Sequence, residues 1–192
     1  MQESTHPPSP LASEASDPLP SLTERIGLRR LTPADVRNFQ AYRHEPGLGQ
    51  YQGWSAQTDS QAAAFLAEMH AAALLQAGVW CQIGIADRAT DELIGDIGVC
   101  VAHDGAEAEI GFTLRTASQG RGIAAEAVAA ALALIFAHTA VERILGVTDA
   151  RNLASLRLLE RLGMDELETK AAIFRGEECM EHTYVIRRPR AG

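Results

Sequence analysis

The spacing of apolar and polar residues changes along the chain and marks out its elements. Ile26-Gly27-Leu28-Arg29-Arg30-Leu31 alternates, which predicts a first strand. Thr32 then offers an N-cap, Pro33 suits the first helical position and Asp35 falls in the first turn, so a helix is predicted to about Arg43. Residues 44–58, rich in Gly, Gln and aromatics, read as a loop. Asp59 or Ser60 should cap a second helix reaching about Gln76, because Ala62, Phe65, Leu66, Met69, Ala73 and Leu74 fall near helical spacing and Gly78 can end it. Residues 79–87 and 93–102 then read as a hairpin about the polar turn 88–91. Gly95 and Gly98 weaken its second strand and predict a bulge or a close approach.

The second half is organised around residues 109–137. Glu109-Ile110-Gly111-Phe112-Thr113-Leu114 belongs to a strand predicted over 106–115. Gln119-Gly120-Arg121-Gly122-Ile123-Ala124 follows, and then residues 125–137, where Glu126 is the only charge. Alanine and leucine make this run a helix. It is shorter than the ~20 residues that span a bilayer. Being apolar on nearly every side, it is expected to be buried. A strand over 143–148 completes a strand–helix–strand unit, so its two strands should be parallel. Leu153, Leu156, Leu159 and Leu162 mark a helix from Asn152 that ends at Gly163. Residues 167–174 and 180–187 form a last hairpin.

The glycine corner invites chemistry. Gly120 and Gly122 allow a sharp turn and a close ligand. The first N–H groups of a helix lack intrahelical partners, and its dipole adds positive charge there. A phosphate or pyrophosphate is the natural occupant. The string G-x-x-x-x-G-K-[ST] of a nucleotide loop is absent. A dinucleotide fingerprint is half present, with Ala125 at its third glycine. A ligand-free glycine turn is the plain alternative.

Gln119, Gly122 and Ala124, as Gln-x-x-Gly-x-Ala, resemble the acyl-CoA diphosphate loop of the GNAT acetyltransferases. Ala108 to Phe112 resembles the strand before that loop, Asp149 to Ser155 the start of the following helix, and Arg161-Leu162-Gly163-Met164 its end. Together the motifs most resemble the RimJ/RimL branch, the ribosomal-protein N-terminal acetyltransferases. The resemblance covers roughly residues 26–188 and implies an α/β (α+β) fold. Its mixed central sheet has about seven strands, with splayed parallel strands in the middle and helices on its flanks. It implies acetyl-CoA as co-substrate and no metal. The backbone of Phe112, Thr113 and Leu114 would hold the pantetheine arm. Gln119, Gly120, Arg121, Gly122, Ile123 and Ala124 would hold the diphosphate, and Asn152 an amide of the cofactor. Glu109 would be the general base through a water, and Ser155, one helical turn after Asn152, the acid. The family's usual helical tyrosine is missing, since the tyrosines are Tyr42, Tyr51 and Tyr184. Tyr51 and Trp54 are candidates to line the acceptor pocket, or simply anchors of their loop. The acceptor implied is a protein N-terminal amine, with a small amine such as an aminoglycoside or polyamine as alternative. A non-catalytic acyl-CoA sensor is the rival of another class. A homodimer is also implied by the family.

Composition adds limits. A length of 192 residues predicts one domain. Residues 1–22 hold five prolines among small polar residues and are expected to form a disordered or draped tail, leaving a domain over 23–190. A net charge of −8 disfavours nucleic acid as a general partner and suits a cationic amine. Cys81, Cys100 and Cys179 form no C-x-x-C pair, so reduced thiols in the cytoplasm are the expectation. The start of the chain has neither the basic nor the apolar segment of a secretory signal, and no membrane partner is expected. The six histidines show no ligand spacing, and His182 is the one whose hairpin can border the acceptor.

Overall fold

The computed structural model describes residues 17–189. Its strands are β1 (Ser21–Leu22), β2 (Ile26–Arg30), β3 (Trp80–Asp87), β4 (Leu93–Val101), β5 (Glu107–Leu114), β6 (Arg143–Asp149), β7 (Asp165–Phe174) and β8 (Glu177–Arg187). Its helices are α1 (Val36–Arg43), α2 (Asp59–Ala71), α3 (Ile123–His138) and α4 (Leu153–Arg161). The strands form one mixed sheet in the order β1-β2-β3-β4-β5-β6-β8-β7. Among these described strands only β5 and β6 run parallel, as their helical connection requires.

Alternation along the strands sorts side chains onto two faces. Cys81, Ile83, Ile97, Val99 and Ile110 belong to the larger core, with Ala127, Val128, Ala131 and Ile135 of α3. A second cluster joins Leu31 and Leu93 to Phe39 and Tyr42 of α1 and Leu66 of α2. Each fully buried Val, Leu or Ile side chain adds roughly 1.5–3 kcal/mol to such cores. Asp96, Gly98, Glu109 and Thr113 fall at the alternate positions, on the face opposite α3.

Several elements depart from the sequence expectation. The sheet has eight strands rather than about seven. The extra one is β1, whose Ser21 and Leu22 pair with Leu28 and Gly27. Residues 17–22 therefore join the domain, and Leu19 is buried in its core. The rest of the expected tail, 1–16, lies outside the described residues. Helix α2 is capped by Thr58, which forms a capping box with Gln61, in place of Asp59 or Ser60. It stops five residues before Gln76. Arg30 Nη1 donates to the His70 and Ala72 carbonyls at 3.0 and 2.8 Å, which satisfies the helix end. Leu74 and Leu75 instead turn to pack on the larger core. Helix α3 is not buried all round, since Ala129, Ala133 and Ala137 form an exposed stripe. Alanine suits either environment, so hydrophobicity alone hid that face. Both roles expected of Gly95 and Gly98 are observed: the β3–β4 register shifts where Ile85 pairs with Gly95 and Ala86 with Leu93, and both glycines are closely approached. A Cβ on Gly95 would stand 2.3 Å from the Thr113 carbonyl oxygen, and one on Gly98 2.9 Å from the Gln82 side chain.

Candidate active site

The corner between β5 and α3 begins with a short 3-10 turn, Thr116–Ser118. Gly120 and Gly122 adopt left-handed backbone at φ 71° and 77°, where a side chain is strained. The first helical bond of α3 runs from the Glu126 N–H to the Gly122 carbonyl at 3.1 Å. The N–H groups of Ile123, Ala124 and Ala125 precede it and have no acceptor within the helix. The Gln119 side-chain amide donates to the Leu114 carbonyl at 2.8 Å, bracing the corner from inside. Glu45, just beyond α1, accepts from the Thr116 N–H at 2.8 Å and from its hydroxyl at 2.5 Å. A groove of about 450 Å³ lies along this corner, lined by Leu114, Gly120, Gly122 and Ala124 with Asn152 and Ser155 opposite. Arg121 is exposed and does not line it, and Ile123 is packed in the core.

Beside the corner the sheet opens. Paired residues of β5 and β6 run from Glu107↔Arg143 to Ile110↔Gly146 and stop, although the strands continue to Leu114 and Asp149. The edge of β5 from Gly111 onward is left without a β6 partner. The Arg115 N–H bonds to the Ile94 carbonyl of β4. By alternation Phe112 and Leu114 then turn their N–H and C=O groups away from β4 and toward the opening. The loop after α1 reaches in, where Gln52 Nε2 donates to the Phe112 carbonyl at 3.2 Å. A narrow slot of about 50 Å³ occupies the split, lined by Tyr51, Gly111, Phe112, Gly146, Asn152 and Ser155. Asn152 Oδ1 accepts from the Ser155 N–H at 3.3 Å and so caps α4. The Ser155 hydroxyl has no partner among the described residues.

Across the sheet the slot meets a cavity of about 500 Å³, roofed by α1 and the 51–57 loop and flanked by the β7–β8 hairpin. Glu109 lies in its wall, one pair before the strands part. Water reaches this residue, yet the cleft strips part of its hydration. That desolvation, followed by the like charges of Glu181 and Glu107, pushes its carboxyl above the usual range, against the pull of Lys170. Such a carboxyl is a suitable general base. Asp149 also lines the cavity, but Arg151 holds its carboxylate at 2.7 Å and keeps it below the usual range despite burial. Glu181 makes no ion pair among the described residues.

The cavity floor is buried and polar. Asp96 is 3% exposed and receives Arg43 Nη2 at 2.8 Å and the Tyr42 hydroxyl. The Arg43 guanidinium lies 4.1 Å from the Trp54 ring centre and 4.6 Å from that of Phe39, so Trp54 acts both as anchor and as wall. Four buried polar atoms here lack partners among the described residues: Gln40 Oε1, Arg43 Nε, Trp54 Nε1 and Gln82 Oε1. All four residues line the cavity. The Gln40 amide is fixed by two bonds from its Nε2, to the Gln57 carbonyl at 2.8 Å and to Asp59 Oδ1 at 3.0 Å, so its oxygen is the free end.

Most of the residues expected from sequence are thus gathered along one channel. Glu109 and Trp54 face the cavity, Ser155 and Asn152 the slot and groove, and Tyr51 lines all three spaces. Arg121 and Ile123 stand apart from the groove through their side chains. The last hairpin does border the cavity through Phe174, Cys179 and Glu181. His182 instead pairs with Glu166 at 2.9 Å. Gln40, Arg43, Gln52, Gln82, Asp96 and Glu181 were not foreseen. Asp96, a lone acid in an apolar strand, was the one visible signal.

The profile of a family described as "Acetyltransferase (GNAT) domain" matches residues 25–165. "Uncharacterized N-acetyltransferase YoaA" of Bacillus subtilis (strain 168) is 30% identical over 145 residues, 75% of this chain and 81% of the relative. Among solved structures, RimL, a ribosomal α-N-protein acetyltransferase in complex with coenzyme A, superposes with a TM-score of 0.73 at 16% identity, covering 88% of this chain and 97% of that one. A chimera of the spermidine N-acetyltransferase SpeG from Vibrio cholerae with hSSAT superposes with a TM-score of 0.70 at 17% identity, covering 85% and 96%.

Proposed function

The chain belongs to the GNAT acetyltransferases, and on that premise we propose that it moves the acetyl group of acetyl-CoA to the terminal α-amine of a polypeptide, as the RimJ/RimL branch does. The observation that carries the reading is the early end of β5–β6 pairing. It opens one slot between an anion-seeking corner on the α3 side and a cavity on the opposite face. The corner offers N–H groups of Gly122 to Ala125 to a diphosphate. The edge of β5 that β6 leaves uncovered at Phe112 and Leu114 suits an extended amide-bearing arm, with Asn152 across from it, whereas the Thr113 backbone is turned to Asp96 of β4. Acetyl-CoA is a donor that fits both features.

In this reading Glu109 takes the proton of the attacking amine through a water. The Phe112 N–H, turned to the slot, donates to the oxygen on which charge develops. The Ser155 hydroxyl returns a proton to the departing sulfur. Holding both reactants in one channel supplies a further ~7–11 kcal/mol of the barrier.

The polypeptide acceptor is supported by the partnerless atoms of the cavity floor, two donors and two acceptors. A peptide amide satisfies both kinds. A protonated polyamine carries donors only and would leave Arg43 Nε and Trp54 Nε1 unpaired, as they are in the unbound protein, forgoing about 1–3 kcal/mol each that a carbonyl partner would recover. Thiol release from acetyl-CoA, measured against ribosomal-protein N-terminal peptides, spermidine and an aminoglycoside, tests this. At least about tenfold higher kcat/KM is expected for peptides, in line with one such cost. Turnover with spermidine and none with any peptide would reject the acceptor assignment.

A further inference from the structure

Arg25 sits in the turn between β1 and β2, far along the chain from the glycine corner, and its side chain ends against that corner. Nη1 donates to the Arg121 carbonyl at 2.7 Å. Nε donates to Glu126 Oε2 at 2.6 Å, and the Arg25 backbone N–H to Glu126 Oε1 at 2.8 Å. The Thr23 hydroxyl adds a bond to the same Oε1 at 2.5 Å. One turn of chain therefore grips both oxygens of Glu126 and one peptide group of the loop.

Two consequences follow from geometry and charge. In a trans peptide the C=O and the next N–H point in opposite directions. Drawing the Arg121 carbonyl toward Arg25 therefore turns the Gly122 N–H away from Arg25. A Cβ on Gly122 would lie 3.4 Å from Nη2, an ordinary contact, so the φ of 77° rather than Arg25 is what favours glycine there. The second consequence concerns Glu126, which stands in the first turn of α3. A carboxylate there suits an empty helix start but repels an anion bound at the same end. Burial would raise its pKa, yet the donors of Thr23 and Arg25 outweigh burial and hold it below the usual range, so it stays charged.

We propose that Arg25 is a positioning residue for the donor's diphosphate: it pins the Arg121 carbonyl inward so that the Gly122 N–H faces the anion, and it cancels the Glu126 charge behind the site. The proposal rests on the acetyl-CoA reading of the corner and goes beyond it. Arg25 touches neither the acetyl group nor the acceptor cavity. Its loss should therefore register on the diphosphate end of the donor alone.

The experiment compares two donors, acetyl-CoA and S-acetylpantetheine, which lacks the diphosphate, and adds calorimetry with CoA. Arg25→Ala should weaken CoA binding about tenfold, the scale of one charge-assisted contact, and lower the acetyl-CoA to S-acetylpantetheine ratio of kcat/KM by a similar factor. The KM for the acceptor should hold. Arg25→Lys, which keeps the charge but loses the fork, should fall between, and adding Glu126→Gln to Arg25→Ala should recover part of the binding. An equal loss with both donors, or no loss of CoA affinity in either Arg25 variant, overturns the proposal. A chain that binds CoA with the expected Arg25 dependence but acetylates no amine supports the clamp and sinks only the catalytic reading. A chain that binds no CoA overturns both.

Discussion

The glycine corner and the proposed acceptor cavity lie at two ends of one channel and are built in opposite ways. The corner is largely local: residues 114–125 supply the wall that carries its free N–H groups, and they supply it mostly with backbone, while α4 faces it across the groove. The cavity draws its lining from Phe39 to Glu181, and supplies it with side chains. A backbone site is indifferent to most side chains but intolerant of changes in φ. A side-chain site keeps its shape while changing its preferences. The corner should therefore set what all relatives share, and the cavity what distinguishes them.

The largest effect that can test this division lies at their junction. Glu109→Gln keeps the shape of the cavity and removes the proposed base. It should lower kcat by about 10²–10³-fold, within the range of general base catalysis, and leave CoA affinity close to wild type. Steady-state rates by thiol detection, with CoA calorimetry beside them, give both numbers. A loss of CoA binding in step with the rate would mean that Glu109 serves the corner as well, and the division would fail.

The same contrast explains what could be read from the sequence. The corner was legible because Gln119, Gly120, Gly122 and Ala124 lie within six positions, between an apolar strand and an alanine-rich helix. The β5–α3–β6 order and the parallel pairing followed from the same run. The cavity was not legible because its parts meet only after folding. Nothing local to Gln40, Gln82 or Glu181 distinguishes them from ordinary surface residues. The clamp shows the same limit, because Glu126 was visible as the single charge of its helix while Arg25 lies 101 positions away. Residues 17–22 were misassigned for a related reason. Prolines and small polar residues lack a strand signal of their own, and pairing with Leu28 and Gly27 makes β1 a strand.

A smaller effect should separate backbone from side chain within the corner itself. Gly122→Val forces a β-branched residue into φ 77° and toward Arg25, so CoA affinity should fall by tenfold or more, about 1–3 kcal/mol of strain. Arg121→Ala, by contrast, keeps the carbonyl that Arg25 holds and removes an exposed side chain. Its affinity should change by less than about twofold, as for an exposed charge. Calorimetry on both variants decides the matter. If Arg121→Ala were the weaker binder, the corner would be a side-chain site and the comparison above would be wrong.

The smallest effect concerns how the cavity tunes its base. The Glu109 carboxyl is raised first by desolvation, then by Glu181 and Glu107, with Lys170 opposing. As the proposed base it would work ionised, so kcat/KM should climb with pH through a limb above the ordinary carboxylate range. Glu181→Gln removes a negative charge, favours the Glu109 anion and should move that limb to lower pH. Desolvation remains, so the limb should stay above the ordinary position. Glu107→Gln should move it less, because Arg143 already holds Glu107 at 2.7 Å. Stability should follow the opposite sign. A carboxyl raised in the folded state favours folding while protonated, and that benefit is lost as pH rises through the folded pKa. Glu109→Gln should therefore melt slightly higher than wild type at neutral pH, with the gap closing in acid. A variant that loses turnover, gains stability and keeps CoA affinity would mark Glu109 as a residue held in an unfavourable state for chemistry. A limb unmoved by Glu181→Gln would instead show that the cleft wall alone sets the base, and that the hairpin carrying Glu181 contributes shape and no charge.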